Sequence, residues 1–333
     1  MLKLRRGVVL EVGDPASRMQ RLEVEIEGER RPALGDVGLV GDSEAGDEVV
    51  VNVEARDLGL GSGGFDVVHA NLTRGLRGSG SEGAHVMKLN YTSLQHPVVP
   101  VEEEELTIPL AGPVAVCGLH GQLPPLAWAF AEAAPGARLG YVQTAGGALP
   151  GALSNVVPQL RDRGMLVAHL TGGPAYGGEA EAITTVGALH HGLGERRWDA
   201  AVCAPGPGIL GSASALGHGG MAALDSAHAA LSLGCSTVVV ARMSDSDPRP
   251  RHRGVSHHTR TVLGLLLRPV VVALPEGLDG EVDERHVVSR APADLDGYER
   301  SGLPVRTMGR DLRDDPSFFA ASLSAGRVLA GML

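Results

Sequence analysis

The 333-residue chain is 43% hydrophobic, 20% charged and carries a net charge of −10. That composition belongs to a globular chain and not to a disordered one, and the negative balance argues against general binding to nucleic acid or to an anionic membrane. Aromatic residues are only 3%, so the core has to be built from Val, Leu, Ala and Ile, and the 47 glycines follow no collagen-like period.

Residues 1–110 read as a small all-β domain. Strand-type runs cover residues 7–12, 22–26, 33–40, 47–53, 65–70 and 86–91, separated by Gly- and Asp-containing turns. Six short strands with turns between them suggest a barrel. The run G-L-G-S-G-G at 59–64 lies between two strands and opens no helix, so it reads as a hinge or bulge. Small barrels often bind oligonucleotides, but this one is acidic and lacks the aromatic platform for base stacking. No nucleic-acid partner is expected.

A boundary is expected near residue 110, where Pro97, Pro100, Pro109 and Pro113 bracket the acidic residues 102–105. Residues 111–333 then alternate short apolar strands with helices. The strands are 114–117, 139–142, 165–170, 200–203, 237–241 and 270–274; the helices are 126–134, 179–193, 221–233 and 317–329. Continuous apolar strands alternating with helices predict an α/β fold with a doubly wound, mostly parallel sheet. His190 and His191 fall inside the second of these helices.

In such a sheet the loops after the strands share one rim, where ligands bind. Four of these loops are glycine-rich: residues 118–124, 144–151, 171–178 and 204–211. The fifth, residues 242–259, reads R-M-S-D-S-D-P-R-P-R-H-R-G-V-S-H-H-T. Its prolines and glycine rule out one long helix. Candidate acid–base groups at the rim are His120, Asp245, Asp247, His252, His257 and His258. Ser256 and Thr259 flank the histidine pair and raise the alternative of a nucleophile–base pair. A candidate anion cradle combines Gly206, Gly208 and Gly211 with Arg249, Arg251 and Arg253.

The run G-P-G-I-L-G at 206–211 fits G-x-G-x-x-G after a strand, yet it is not in the first β–α unit, and Pro207 removes an N–H. A nicotinamide dinucleotide is therefore not expected. Asp225 and His228 stand three apart on one helix face, which reads as a hydrogen-bonded core pair. Alternatively His218, Asp225, His257 and His258 supply ligands for a divalent metal such as Zn, Mn or Fe.

Cys117, Cys203 and Cys235 are widely spaced, without C-x-x-C, as expected of buried thiols in a reducing compartment. Cys117, beside a Gly/His loop, is also weighed as a nucleophile. The N-terminus has no signal-peptide core, and the longest apolar run, 262–274, is broken by Arg268 and Pro269. A soluble cytoplasmic protein is expected, with no membrane partner and with homo-oligomerisation left open.

The segment R-H-R-G-V-S-H-H-T, with the G-P-G-x-x-G and L-G-H-G-G runs before it, resembles an uncharacterised bacterial family of unknown function over most of the chain. The resemblance implies no activity or site residue. Two functional expectations follow from the residues. The first is an enzyme, a hydrolase or group transferase, acting on a small anionic metabolite, phosphorylated ones included. The alternative is a non-catalytic ligand-binding or scaffold protein whose His/Asp/Arg loop is a structural polar network.

Overall fold

The computed structural model describes residues 1–60, 63–78, 80, 82–102 and 105–333. Two of the six residues of the 59–64 glycine run, and residues 103 and 104 of the acidic stretch, therefore lie outside the described residues. The chain divides into two compact units, Met1–Val99 and Pro100–Leu333. The division falls ahead of the expected position near residue 110 because Val101 and Leu110 are bonded within the second unit. There Val101 donates its N–H to Glu181 O and Leu110 donates to Leu233 O.

The first unit is a closed barrel of β1 (Leu4–Val12), β2 (Met19–Ile26), β3 (Glu29–Asp36), β4 (Glu48–Asn52) and β5 (Asp66–Asn71), in the order β1-β2-β3-β5-β4. Alternation buries Leu22, Val24 and Ile26 of β2 and Val49 and Val51 of β4 in a small aliphatic core. The expected strand 33–40 stops at Asp36. Its carboxylate accepts the Gly38 N–H at 3.0 Å and starts the one-turn helix α1 (Val37–Val40). Another single turn, α2 (Glu54–Asp57), follows β4. The expected sixth strand pairs outside the barrel, as a hairpin of β6 (Val86–Lys88) with β7 (His96–Val98). It ends early because Leu89 and Tyr91 adopt φ of 49° and 59°, which no strand contains.

The second unit is built on eight parallel strands: β8 (Val114–Val116), β9 (Leu139–Thr144), β10 (Ala168–Thr171), β11 (Ala180–Glu181), β12 (Ala200–Pro205), β13 (Thr237–Val240), β16 (Val271–Pro275) and β17 (Val287–Ala291). Two small antiparallel pairs accompany it, β14 (Met243–Ser244) with β15 (Gly254–Val255), and β18 (Arg306–Thr307) with β19 (Arg310–Asp311). The sheet order is β11-β10-β9-β12-β8-β13-β16-β17. One face is covered by α3 (Leu123–Ala133), α4 (Val156–Asp162), α8 (Leu295–Arg300) and α9 (Pro316–Ala330), which share one apolar core. The other face is covered by α5 (Thr185–His190), α6 (Ala222–Ser232) and α7 (His257–Leu265).

Helix 179–193 is not one helix. Residues Ala180–Glu181 pair with β10, and Thr184 then caps α5 by accepting the Gly187 N–H at 2.8 Å. The sheet's last strand, β17, escapes the sequence reading because V-V-S-R-A has only two strongly apolar residues and Val287 is exposed. Among the described residues no helix is long and apolar enough to cross a membrane.

Candidate functional site

The chain leaves β8 through α3 towards β9 on one side and leaves β13 towards β16 on the other. The carboxyl ends of β8 and β13 are neighbours, so a crevice opens between loops departing in opposite directions. Open α/β sheets bind ligands at such switch points. Gly118 and Leu119 follow β8, and Arg242 follows β13. Together with His258 and Gly220 they line a cavity of about 20 Å³. That volume suits a single water or ion.

Local chemistry places His258 there. β14 and β15 pair through Met243 and Val255, closing residues 242–256 into a loop. Ser256 then donates its N–H to Arg242 O at 2.8 Å, and Arg242 donates its own to Thr259 Oγ1 at 2.9 Å. Ser256 caps α7, so His257 and His258 occupy the first turn of that helix.

Four imidazoles meet at this point. The His218 ring stacks on His258 with centroids 3.4 Å apart. His257 and His258 lie 4.3 Å apart, and His252 is 4.7 and 4.8 Å from them. Nitrogens of His252, His257 and His258 all fall within 4.8 Å of one another. Arg242 NH1 donates to His258 Nδ1 at 3.0 Å, and His252 Nδ1 lies 2.8 Å from Ser256 Oγ. Nε2 of His252, Nε2 of His257 and Nε of Arg242 are buried without a hydrogen-bond partner among the described residues. Burial lowers all four histidines from their ordinary value, His252 to about 4, with the neighbouring arginines adding to the effect. They are neutral at pH 7. Burial also pulls the Arg242 guanidinium down to about 10.

The carboxylates of the loop serve a different purpose. Asp247 is fully buried and accepts from Arg249 Nε at 2.9 Å and Arg249 NH2 at 2.9 Å, with Arg310 at 3.4 Å and Arg242 at 3.5 Å. The Arg249 hydrogen bond leads in holding its pKa well below the usual carboxylate range, against the opposing effect of burial. Asp245 accepts from Ser317 Oγ, and its N–H bonds Asp315 at 2.9 Å. Arg253 Nε donates to the Asp247 carbonyl at 3.1 Å. Arg251 is half-buried, and its Nε has no partner among the described residues. Asp245, Asp247, Arg249 and Arg253 thus tie the loop to itself and to the start of α9, and Arg251 remains the arginine of the expected cradle whose Nε is unengaged.

Asp225 corrects the reading of a buried Asp225–His228 pair. It is exposed on α6 and is not among the groups that converge, while His228 Nε2 accepts the Leu267 N–H at 3.3 Å. The helix turns so that Ala223, Ala227 and Ala230 face the sheet instead. Cys117 is buried, and burial raises its thiol far above the ordinary value, so it is no nucleophile at neutral pH.

A larger cleft of about 360 Å³ lies at the same rim and shares Leu119 with the small cavity. His120, Gly206, Gly208, Arg306 and Thr307 line it. His120 Nδ1 lies 3.2 Å from the Pro205 carbonyl and Nε2 lies 2.8 Å from Ser154 Oγ. A carbonyl only accepts, so Nδ1 carries the proton and Nε2 accepts from the serine hydroxyl. Burial lowers His120 to about 4, so the ring is neutral. Ser154 escaped the sequence reading although it stands just before the apolar start of α4, whose Val157 N–H it accepts at 3.2 Å. Arg306 carried no local signal; only the fold brings it to the rim.

The glycines of the rim are needed for contacts between loops. A Cβ on Gly147 would overlap the Gly206 carbonyl, one on Gly206 the Ala148 carbonyl, and one on Gly219 the Gly146 carbonyl. Gly208 is different, with φ +71° and open space around its missing side chain. The run 206–211 does not open a helix, since the next α-helix begins at Ala222. Gly211 bridges His218 in the β sense and lies outside the cleft wall.

These features define a class: a doubly wound α/β protein with a β-barrel unit ahead of it and a histidine–arginine cluster at the sheet's switch point. Within that class the chain belongs to the family described as Protein of unknown function (DUF3866), whose model matches residues 33–326. No curated protein and no solved structure matches the chain.

Proposed function

We propose that the protein is an enzyme, a hydrolase or group transferase, acting on a small anionic metabolite in the cleft at the carboxyl edge of the parallel sheet. The observation that carries this reading is His120, a neutral imidazole in the cleft wall with its tautomer set by Pro205 O and its free nitrogen on Ser154 Oγ. Base, orienting group and hydroxyl stand in the order that nucleophilic and general-base catalysis require. His120 Nε2 takes the proton of Ser154 or of a water, and Arg306 meets the negative charge of the substrate. The three free, buried thiols support a reducing, cytoplasmic setting, and the net charge of −10 speaks against a nucleic-acid partner.

The test is a screen of small phosphorylated and carboxylated metabolites by thermal shift and turnover. At least one should stabilise and be converted. His120→Gln should then lower turnover by about 10²–10⁴-fold, and Arg306→Ala should weaken binding, with circular dichroism unchanged. Full turnover in folded His120→Gln sinks the reading.

A second reading, a non-catalytic ligand-binding or scaffold protein, is favoured by the mutual pairing of Asp245, Asp247, Asp315, Arg249 and Arg310. It predicts ligand-induced stabilisation with no conversion by any preparation.

A further inference from the structure

The histidine cluster is separate from the chemistry assigned to His120, and five of its features point to a ligand. First, His252 is fully buried and its Nε2 has no partner among the described residues. Buried imidazole nitrogens are seldom left unpaired. Second, His257 Nε2 is in the same condition, and the two rings are 4.7 Å apart. Third, the ligand-capable nitrogens of His252, His257 and His258 converge within 4.8 Å. Nitrogens around a tetrahedral zinc, each at about 2.0–2.1 Å, stand roughly 3.4 Å apart, so small side-chain rotations close the site. Fourth, Ser256 Oγ at 2.8 Å from His252 Nδ1 supplies the outer partner that orients a ligating imidazole. When Nδ1–H donates to Ser256, Nε2 is left with a free lone pair. Fifth, His258 also lines an adjoining cavity of about 20 Å³, room for a single water or ion.

We propose that His252, His257 and His258 form a binding site for one divalent transition-metal ion of the zinc class. An all-imidazole donor set suits zinc and cobalt and is poor for magnesium or calcium. His258 joins the site through Nε2 once its proton has moved to Nδ1, because in the metal-free chain Nδ1 accepts from Arg242 NH1 and Nε2 holds the proton. That shift breaks the Arg242 bond, so uptake by these neutral imidazoles exchanges a hydrogen bond for a metal bond with no net release of a proton. His218, stacked on His258, stands beside the site as a fourth imidazole. Asp247 is not a ligand, since its carboxylate is taken by Arg249, Arg310 and Arg242.

The experiment is a titration of the full chain, stripped with a chelator, with Zn²⁺ and with Co²⁺. The expected result is one ion retained per chain through gel filtration, with the visible absorption of low-symmetry Co²⁺ bleached by Zn²⁺. His252→Gln together with His257→Gln should abolish retention and colour, while Ser256→Ala should weaken binding about 10–100-fold. His120→Gln should bind as the native chain does. A native chain that retains less than a tenth of an equivalent overturns the proposal whether or not the variants fold. So does stabilisation by inorganic phosphate with no metal retained, and so does undiminished Co²⁺ colour in the folded double variant.

Discussion

Arg242 NH1 donates to His258 Nδ1 at 3.0 Å, and this one bond decides which nitrogen of His258 carries the proton. A guanidinium only donates, so neutral His258 carries its proton on Nε2. In the metal-free protein, nitrogen-15 NMR should therefore show His258 in the Nε2–H form. In Arg242→Met the signal should relax to a mixture of tautomers. An Nδ1–H form in the native chain would mean that the two side chains do not pair.

Asp247 and Arg249 form an ion pair whose partners should not be equally important. Asp247 is fully buried and also faces Arg242 and Arg310, whereas the Arg249 side chain is 51% exposed. Asp247→Asn leaves the buried Arg242 guanidinium without its ion-pair partner, while Arg310 keeps Asp315, and should cost about 3–5 kcal/mol. Arg249→Ala removes a largely solvated partner and should cost less than about 1 kcal/mol. Urea unfolding of the two variants checks the ordering; equal small losses would remove Asp247 as the anchor of the loop.

Two rim glycines should separate in the same way. Gly208→Ala meets open space and pays only for its left-handed backbone, about 1–2 kcal/mol. Gly147→Ala drives a methyl group into the Gly206 carbonyl, and no side chain can yield there. It should prevent recovery of folded protein or lower the melting temperature far more than Gly208→Ala. A folded Gly147→Ala chain of native stability would show that these loops are not in contact in solution.

Acid should destabilise the protein through histidines it buries in neutral form. Burial lowers His169 from an ordinary 6.5 to about 4, with repulsion from His120, when that ring is protonated, and the Arg161 charge assisting. As pH falls, the unfolded chain takes up the proton first. The stabilisation is complete above about pH 6.5 and is lost progressively down to about pH 4, at no more than about 1.4 kcal/mol per pH unit for each such group. Urea midpoints measured from pH 7.5 to 4.5 should fall, and His169→Gln should fall less steeply. Parallel slopes for the two proteins would show that His169 titrates normally.

The sheet and its rim were legible because apolar strands such as 200–203 and 237–241 are buried on both faces and need no alternation to be seen. The loop 242–259 announced itself by composition, and the structure does bring His218, His252, His257 and His258 together. Periodicity could not assign individual charges. Asp247 and Asp245 look catalytic in one dimension, yet their partners include Arg310, Asp315 and Ser317, over 60 residues away. Asp225 failed because three-residue spacing says that two side chains share a face, not which face meets the sheet. Ser154 and Arg306 were invisible for the same reason: what makes them interesting is a neighbour supplied by the fold.

The barrel has a consequence for how the first unit meets other molecules. β4 pairs with both β1 and β5, so the five strands return on themselves. A ring of this kind has no outermost strand with idle amide and carbonyl groups. Another chain cannot lengthen it by adding a strand, and recruitment through backbone templating is closed to it. Any association through the barrel, as distinct from the β6–β7 hairpin, has to be written in side chains and turns, where single substitutions can abolish it without touching the barrel itself.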